Sequence, residues 1–279
     1  MEECLSRIAE QDPAIQSFVA LREDAALEEA RELDAMTSRG PLHGIPFAVK
    51  DIFDTASLPT EYNSELYRGH QAEEDAQVVT LLRQAGAILL GKVSTVEFAG
   101  MGNLPSTRNP HHLAHSPGGS SSGSGAAVGA GMVPLAIGSQ TGGSTIRPAA
   151  YCGAVGFKPT WGLVSCLGMK SFAPSLDTVG FIGDTSELMV RVLAAVKGVA
   201  DPSGWPNYED QRSSLRVGVY LTHYIAEASP CVIDALTKLS AQLTDAGHSV
   251  EEVADPFAGN DINAIQDIVM WGEGLESMR

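Results

Sequence analysis

Residues 116–160 read SPGGSSSGSGAAVGAGMVPLAIGSQTGGSTIRPAAYCGAVGFKPT, and this stretch decides how the chain folds. Glycine, serine and alanine dominate it, and acidic residues are absent. A flexible Gly/Ser linker has little to bury, whereas here Val128, Met132, Val133, Leu135 and Ile137 are interleaved with the small residues, so the segment is expected inside a folded core. Clustered glycines also suit phosphate binding, but no Lys-Ser or Lys-Thr pair follows them. The nearer match, GAILLGKVS at Gly86–Ser94, places Val93 where a magnesium-binding hydroxyl belongs. A nucleophile elbow is equally poorly matched, because Gly125 directly follows Ser124.

Working outward, IPFAVKD (45–51) is a short apolar run between turn formers and predicts a strand with Lys50 at its far end. Residues 75–84 predict a helix closed by Gly86, and AILLGK (87–92) predicts a second buried strand. Helix followed by strand favours an α/β architecture. Toward the N-terminus, Leu5, Ile8, Ile15, Phe18 and Val19 recur among charges over residues 2–36, and Pro13 is expected to separate two helices. Toward the C-terminus, the sequence predicts a strand at 215–220, a helix at 230–246 ended by Gly247, a strand at 248–253 and a final helix. No internal repeat is evident. We read residues 1–279 as one continuous α/β domain, with the polar stretch 201–214 as its main surface excursion.

The chain has 279 residues, 44% of them apolar, enough for a sizeable core. A formal net charge of -16 opposes binding to phosphate backbones and anionic lipid, so nucleic acid is not an expected partner. No run of some 18 apolar residues and no basic-then-apolar leader occurs, so the reading is a cytoplasmic protein with no membrane partner. Cys4, Cys152, Cys166 and Cys231 are widely spaced and near no histidine pair, which indicates neither a disulfide framework nor a metal site.

Serine chemistry is the third reading of the glycine-rich segment. It needs a hydroxyl, a base for its proton, and N–H donors where charge develops on the substrate oxygen. Thr141, Gly142, Gly143 and Ser144 offer a hydroxyl and a bendable run of N–H groups. Two sources of the base are open. His111, His112 and His115 could supply an imidazole, although three histidines in a Pro-flanked polar loop read as surface or structural groups. Lys50 could act instead if burial keeps its amine neutral, far below a free lysine.

These residues resemble the amidase signature family: GIPFAVKD around Lys50, SPGGSSSGSGAA around Ser120, GSQTGGSTIRPAAYCG around Ser144, then GFKPTWG and SLDTVG (175–180). They occur in the family order, with 24 residues between Ser120 and Ser144. The resemblance implies a mixed β-sheet core sandwiched by helices, and cleavage of the C–N bond of a small carboxamide through an acyl-enzyme. Ser144 would be the nucleophile, Ser120 the bridging serine after a cis peptide from Gly119, and Lys50 the ultimate base. Thr141, Gly142 and Gly143 with Ser144 would hold the oxyanion, and no cofactor or metal is implied.

Three departures from the family pattern qualify the resemblance. Gln140 stands where the family often has Asp, and GGSTIR replaces GGSIR. Gln140 with Arg147 resembles a malonamidase-like branch more than the amidotransferase A subunits. Arg147 could pair with a substrate carboxylate, or with backbone carbonyls or a buried acid. Family members usually continue well past residue 279, so the C-terminal part of the family domain is expected to be missing. Two alternatives therefore stand beside a small-amide hydrolase: a catalytically impaired truncated paralogue, and an amidotransferase A-type subunit. Unpaired sheet edges would favour association, and a homodimer is left open.

Overall fold

The computed structural model describes the chain apart from Arg39, Met101 and residues 200–213, 255–260 and 278–279. The expected excursion at 201–214 thus lies almost wholly outside the described residues.

Helix α1 (Glu2–Ile15) buries Ile8 and Ile15 and ends where Gln16 turns left-handed at φ 59°. The expected break at Pro13 is corrected: Pro13 lies inside the last turn of α1, and a strand, β1 (Phe18–Leu21), precedes α2 (Glu23–Asp34). Asp12 secures this exit. Its carboxylate accepts the Ser17 N–H at 2.7 Å, the Ser17 hydroxyl at 2.5 Å and the Phe18 N–H at 3.2 Å. Strand β2 (Pro46–Lys50), helix α3 (Gln77–Gln84) and strand β3 (Ile88–Val93) follow as the apolar runs predict, with every residue of both strands buried.

The glycine-rich segment forms α4 (Ser122–Gly129), β4 (Leu135–Gln140), α5 (Ile146–Tyr151) and β5 (Val155–Phe157). Serine and glycine are poor helix formers, so packing must hold α4 in place. A Cβ on Gly123 would lie 2.4 Å from Ser94 N, and one on Gly125 would lie 2.8 Å from Pro148 O. The missing side chains are what allow α4 to sit this close to its neighbours. Strand β6 (Thr178–Gly183) and α6 (Ser186–Val196) complete this region, with Thr185 capping α6 through the Leu188 N–H.

The six strands form one mixed sheet in the order β1-β3-β2-β4-β6-β5. β2 runs parallel to β3 and β4, whereas β1, β5 and β6 pair antiparallel to their neighbours. Apolar clusters cover both faces. Val78, Val79 and Leu82 of α3 and Leu188 and Val192 of α6 pack with Phe47, Val49, Leu89 and Phe181. On the other face Ile8, Ala26, Leu33 and Ala126–Val128 pack with Ala48, Ile88 and Leu90. This is the expected sheet between helical layers. The pairing of β2 with β3 skips Leu90, and that extra residue reverses which face the end of β3 presents.

The chain folds as two compact units, residues 1–202 with 268–279, and residues 203–267. The second unit contains β7 (Arg216–Tyr220), α7 (Pro230–Asp245) and β8 (Ser249–Val253), and its two strands pair in parallel. The last helix, α8 (Ile262–Ser277), contributes its later turns to the first unit. There Trp271 meets Phe172 edge to face at 5.7 Å, and Glu273 accepts the N–H and the hydroxyl of Ser175.

Candidate active site

The site gathers where the parallel strands β2 and β4 end, the end at which open α/β sheets present ligand-binding groups. Strand β2 delivers Lys50, β4 delivers Ser139 and Gln140, and the turn 141–145 carries the chain into α5. The segment 117–121 delivers Ser120 just before α4. The Gly119–Ser120 peptide is cis.

Lys50 is completely buried. Its Nζ donates to Ser120 Oγ at 2.8 Å and to Ser139 Oγ at 2.8 Å, and among the described residues it forms no ion pair. Burial pushes its amine down to about 7, against a smaller opposing pull from the charge of Asp177. An amine with hydroxyl neighbours and no paired carboxylate is free to exchange a proton with Ser120 near neutral pH.

Ser144 is buried to 9% exposure and lies beside this pair: Ser121 N donates to its carbonyl at 3.3 Å. Among the described residues Ser144 Oγ has no hydrogen-bond partner, and no protein acceptor takes the N–H groups of Gly142, Gly143 or Ser144. The structure therefore joins Lys50 to Ser120 directly and brings Ser144 alongside without a Ser120–Ser144 hydrogen bond.

The supporting contacts explain how the turn keeps its shape. Gln140 Oε1 accepts the N–H groups of Thr145 at 3.0 Å and Ile146 at 3.1 Å, satisfying donors at the start of α5. Thr141 Oγ1 donates to Asp177 Oδ1 at 2.6 Å. Ser121 bridges the two serine-bearing segments, donating to Ser139 O at 3.2 Å and accepting the Ser139 N–H at 3.3 Å. Arg147 donates through Nε at 3.1 Å and Nη2 at 2.8 Å to the carbonyl of Gly119, one of its two expected pairings.

The histidine alternative finds no support among the described contacts. His111 Nε2 bonds the Cys152 carbonyl at 2.9 Å, and His112 and His115 stack edge to face at 4.4 Å. Cys152 is buried, and its thiol is pushed up to about 12. Among the described residues no group of three His, Cys, Asp or Glu side chains could hold a metal, and no helix is long and apolar enough to cross a membrane.

Three participants lie outside what the sequence singles out. Ser139 is a second hydroxyl on Lys50. Asp177 stands in the sequence only as part of SLDTVG. Lys92, also fully buried, lies 2.9 Å from Asp51 Oδ1 and donates to Thr60 Oγ1 at 2.6 Å and to the carbonyls of Phe53 and Pro59. Two lysines at or beside the ends of adjacent buried strands, one of them followed by Asp, are the signal that could reveal this pair.

The Amidase family model matches residues 1–271. The glutamyl-tRNA(Gln) amidotransferase A subunit of Symbiobacterium thermophilum is 40% identical over 276 residues, covering 91% of this chain and 56% of that protein. The chain thus spans about half the length of the curated relatives it matches. Among solved structures, native peptide amidase from Stenotrophomonas maltophilia aligns with a TM-score of 0.82 at 32% identity, over 99% of this chain and 62% of that one. The glutamyl-tRNA(Gln) amidotransferase A subunit from Thermotoga maritima aligns with a TM-score of 0.80 at 31% identity, over 100% and 62%. These relatives do not favour the branch that Gln140 and Arg147 suggested over the amidotransferase subunits.

Proposed function

The chain belongs to the amidase family, and from that premise we propose that it carries a serine acyl-transfer site that cleaves the C–N bond of a carboxamide, as an amidotransferase A-type subunit does. The observation that carries this reading is the buried Lys50 amine, held near neutral pH and bonded to Ser120 beside Ser144. Residues 1–279 are taken as one family domain.

In the proposed reaction Ser144 Oγ attacks the amide carbon while its proton passes to Ser120 Oγ and the Ser120 proton passes to Lys50 Nζ. The substrate oxygen becomes an oxyanion opposite the N–H groups of Gly142, Gly143 and Ser144, with Thr141 shaping the turn. The C–N bond then breaks as Lys50 returns its proton, through Ser120, to the leaving nitrogen. Water, or another acceptor, takes the acyl group from Ser144. Nitrogen leaving as ammonia is the product an amidotransferase would hand on.

The second reading is a hydrolase of free small amides, favoured by the likeness to peptide amidase. Arg147 would then face a substrate carboxylate with the part of its guanidinium not engaged by Gly119. Fluorophosphonate labelling tests the shared chemistry. Wild type should be modified at Ser144, Ser144→Ala should not be modified, and Lys50→Ala should be modified only slowly; labelling of Lys50→Ala at the wild-type rate would end the proposal. Ammonia release from glutamine and from uncharged amides then separates the two readings. A hydrolase turns over unaided and loses its preference for carboxylated amides in Arg147→Ala.

A further inference from the structure

Asp177 stands just before β6 and is buried, yet no cation pairs with it among the described residues. Four donors fill its carboxylate instead. Thr141 Oγ1 reaches Oδ1 at 2.6 Å, while Ser171 Oγ, Phe172 N and Ala173 N reach Oδ2 at 2.7, 2.8 and 3.1 Å. One carboxylate thereby ties the turn that precedes Ser144 to the segment 171–173. It also lies close enough for its charge to act on Lys50, without a hydrogen bond between them.

We propose that Asp177 is a positioning residue of the acyl-transfer site, holding the 141–144 turn through Thr141 and supplying the negative charge that favours Lys50 as it takes up a proton. This rests on the acyl-transfer reading above and deepens it. When Ser144 attacks, one proton moves from Ser144 Oγ to Ser120 Oγ and one from Ser120 Oγ to Lys50 Nζ. Lys50 gains a positive charge and the substrate oxygen a negative one. A cation forming inside a low-dielectric site is costly unless a fixed negative charge is nearby. A carboxylate in direct contact would hold the amine protonated and remove it as a base. One held at a distance by four other donors eases the charge without capturing the amine.

The other groups around Lys50 do not take this role. On β3, Lys92 is tied to Asp51. β4 presents the neutral Ser139 and Gln140, and the entry to α4 presents Ser120 and Ser121. Arg147 on α5 rests on the Gly119 carbonyl. Asp177 is the carboxylate whose charge bears on the Lys50 amine.

The test is the pH dependence of fluorophosphonate labelling at Ser144 in the intact chain, for wild type, Asp177→Asn and Asp177→Glu, with thermal melts alongside. Asparagine keeps the shape and the acceptor for residues 171–173, and its amide can donate to Thr141 Oγ1. Its acid limb should fall by about one pH unit, with a slower plateau, because the charge that favours protonated Lys50 is gone. An acid limb unmoved from wild type would overturn the proposal, since a purely mechanical anchor alters the plateau alone. Should Asp177→Asn fail to fold, Asp177→Glu decides. It keeps the charge but displaces it by one methylene, so a limb that shifts together with the plateau supports the role, and a wild-type limb with only a slower plateau, the signature of a mechanical anchor, overturns it. Absence of Ser144 labelling in wild type would instead overturn the acyl-transfer reading itself.

Discussion

Two lysines, Lys50 at the end of β2 and Lys92 one residue before the end of β3, stand on neighbouring parallel strands of one sheet, and both are fully buried. In the β2–β3 register Lys92 pairs with Val49 and Lys50 pairs with Val93, so the two side chains leave the sheet on opposite faces. Burial lowers both amines. Lys92 has a carboxylate partner, Asp51, which is itself raised by burial and drawn back by Lys92, and three oxygen acceptors surround the rest of its ammonium. Among the described residues Lys50 Nζ bonds only the hydroxyls of Ser120 and Ser139. The same residue type thus serves two ends. A paired charge fixes the loop after β2, and an unpaired amine stays ready to move a proton.

Exchanging each lysine for methionine should break the comparison most sharply. Lys50→Met is expected to slow Ser144 labelling by about 10²–10⁴-fold, the usual worth of a positioned general base. Its melting temperature at neutral pH should rise, because a buried amine that would rather be protonated is gone. Lys92→Met should do the reverse. It leaves Asp51 buried without its cation, at a cost of about 3–5 kcal/mol in stability, while labelling per folded molecule stays within a few-fold of wild type. Urea titrations and labelling of the same samples check both halves.

The two sites also differ in how pH acts on them. Lys50 is lowered from 10.5 to about 7 in the folded chain, so between those values the unfolded chain binds more protons than the folded one. Stability contributed by this group therefore rises with pH across that window, and the penalty is fully present below about 7. Subtracting the stability profile of Lys50→Met from that of wild type should expose this slope, and a flat difference would contradict it. Ser139→Ala should give the smallest effect. Losing one hydroxyl acceptor disfavours the charged amine, so the acid limb of labelling moves slightly down and the rate falls about tenfold, the scale of one hydrogen bond to a charged group.

Much of this arrangement could be read from the residues. Apolar runs bounded by turn formers located β2 and β3, and Lys50 at the end of such a run marked an amine that burial would perturb. The Thr-Gly-Gly-Ser turn marked Ser144, and the resemblance to the amidase signature family, rather than any local pattern, marked Ser120 as the hydroxyl that the fold brings to Lys50. Other features left no such trace. β1 is four residues long, too short to show a period, and exists because β3 offers it an edge. Helix α4 contradicts its own propensities and is held by contacts around Gly123 and Gly125. The pairing of Lys92 with Asp51 depends on the extra residue at Leu90, and the link from Thr141 to Asp177 spans a separation that no local pattern encodes.

The central claim is that Lys50 works as a neutral base on Ser144 through Ser120. The rate of Ser144 acylation as a function of pH tests it most directly. We expect the rate to climb with a midpoint at about 7 and this climb to vanish in Lys50→Met. A midpoint left at the ordinary lysine value of 10.5, or an identical profile in the variant, would contradict it.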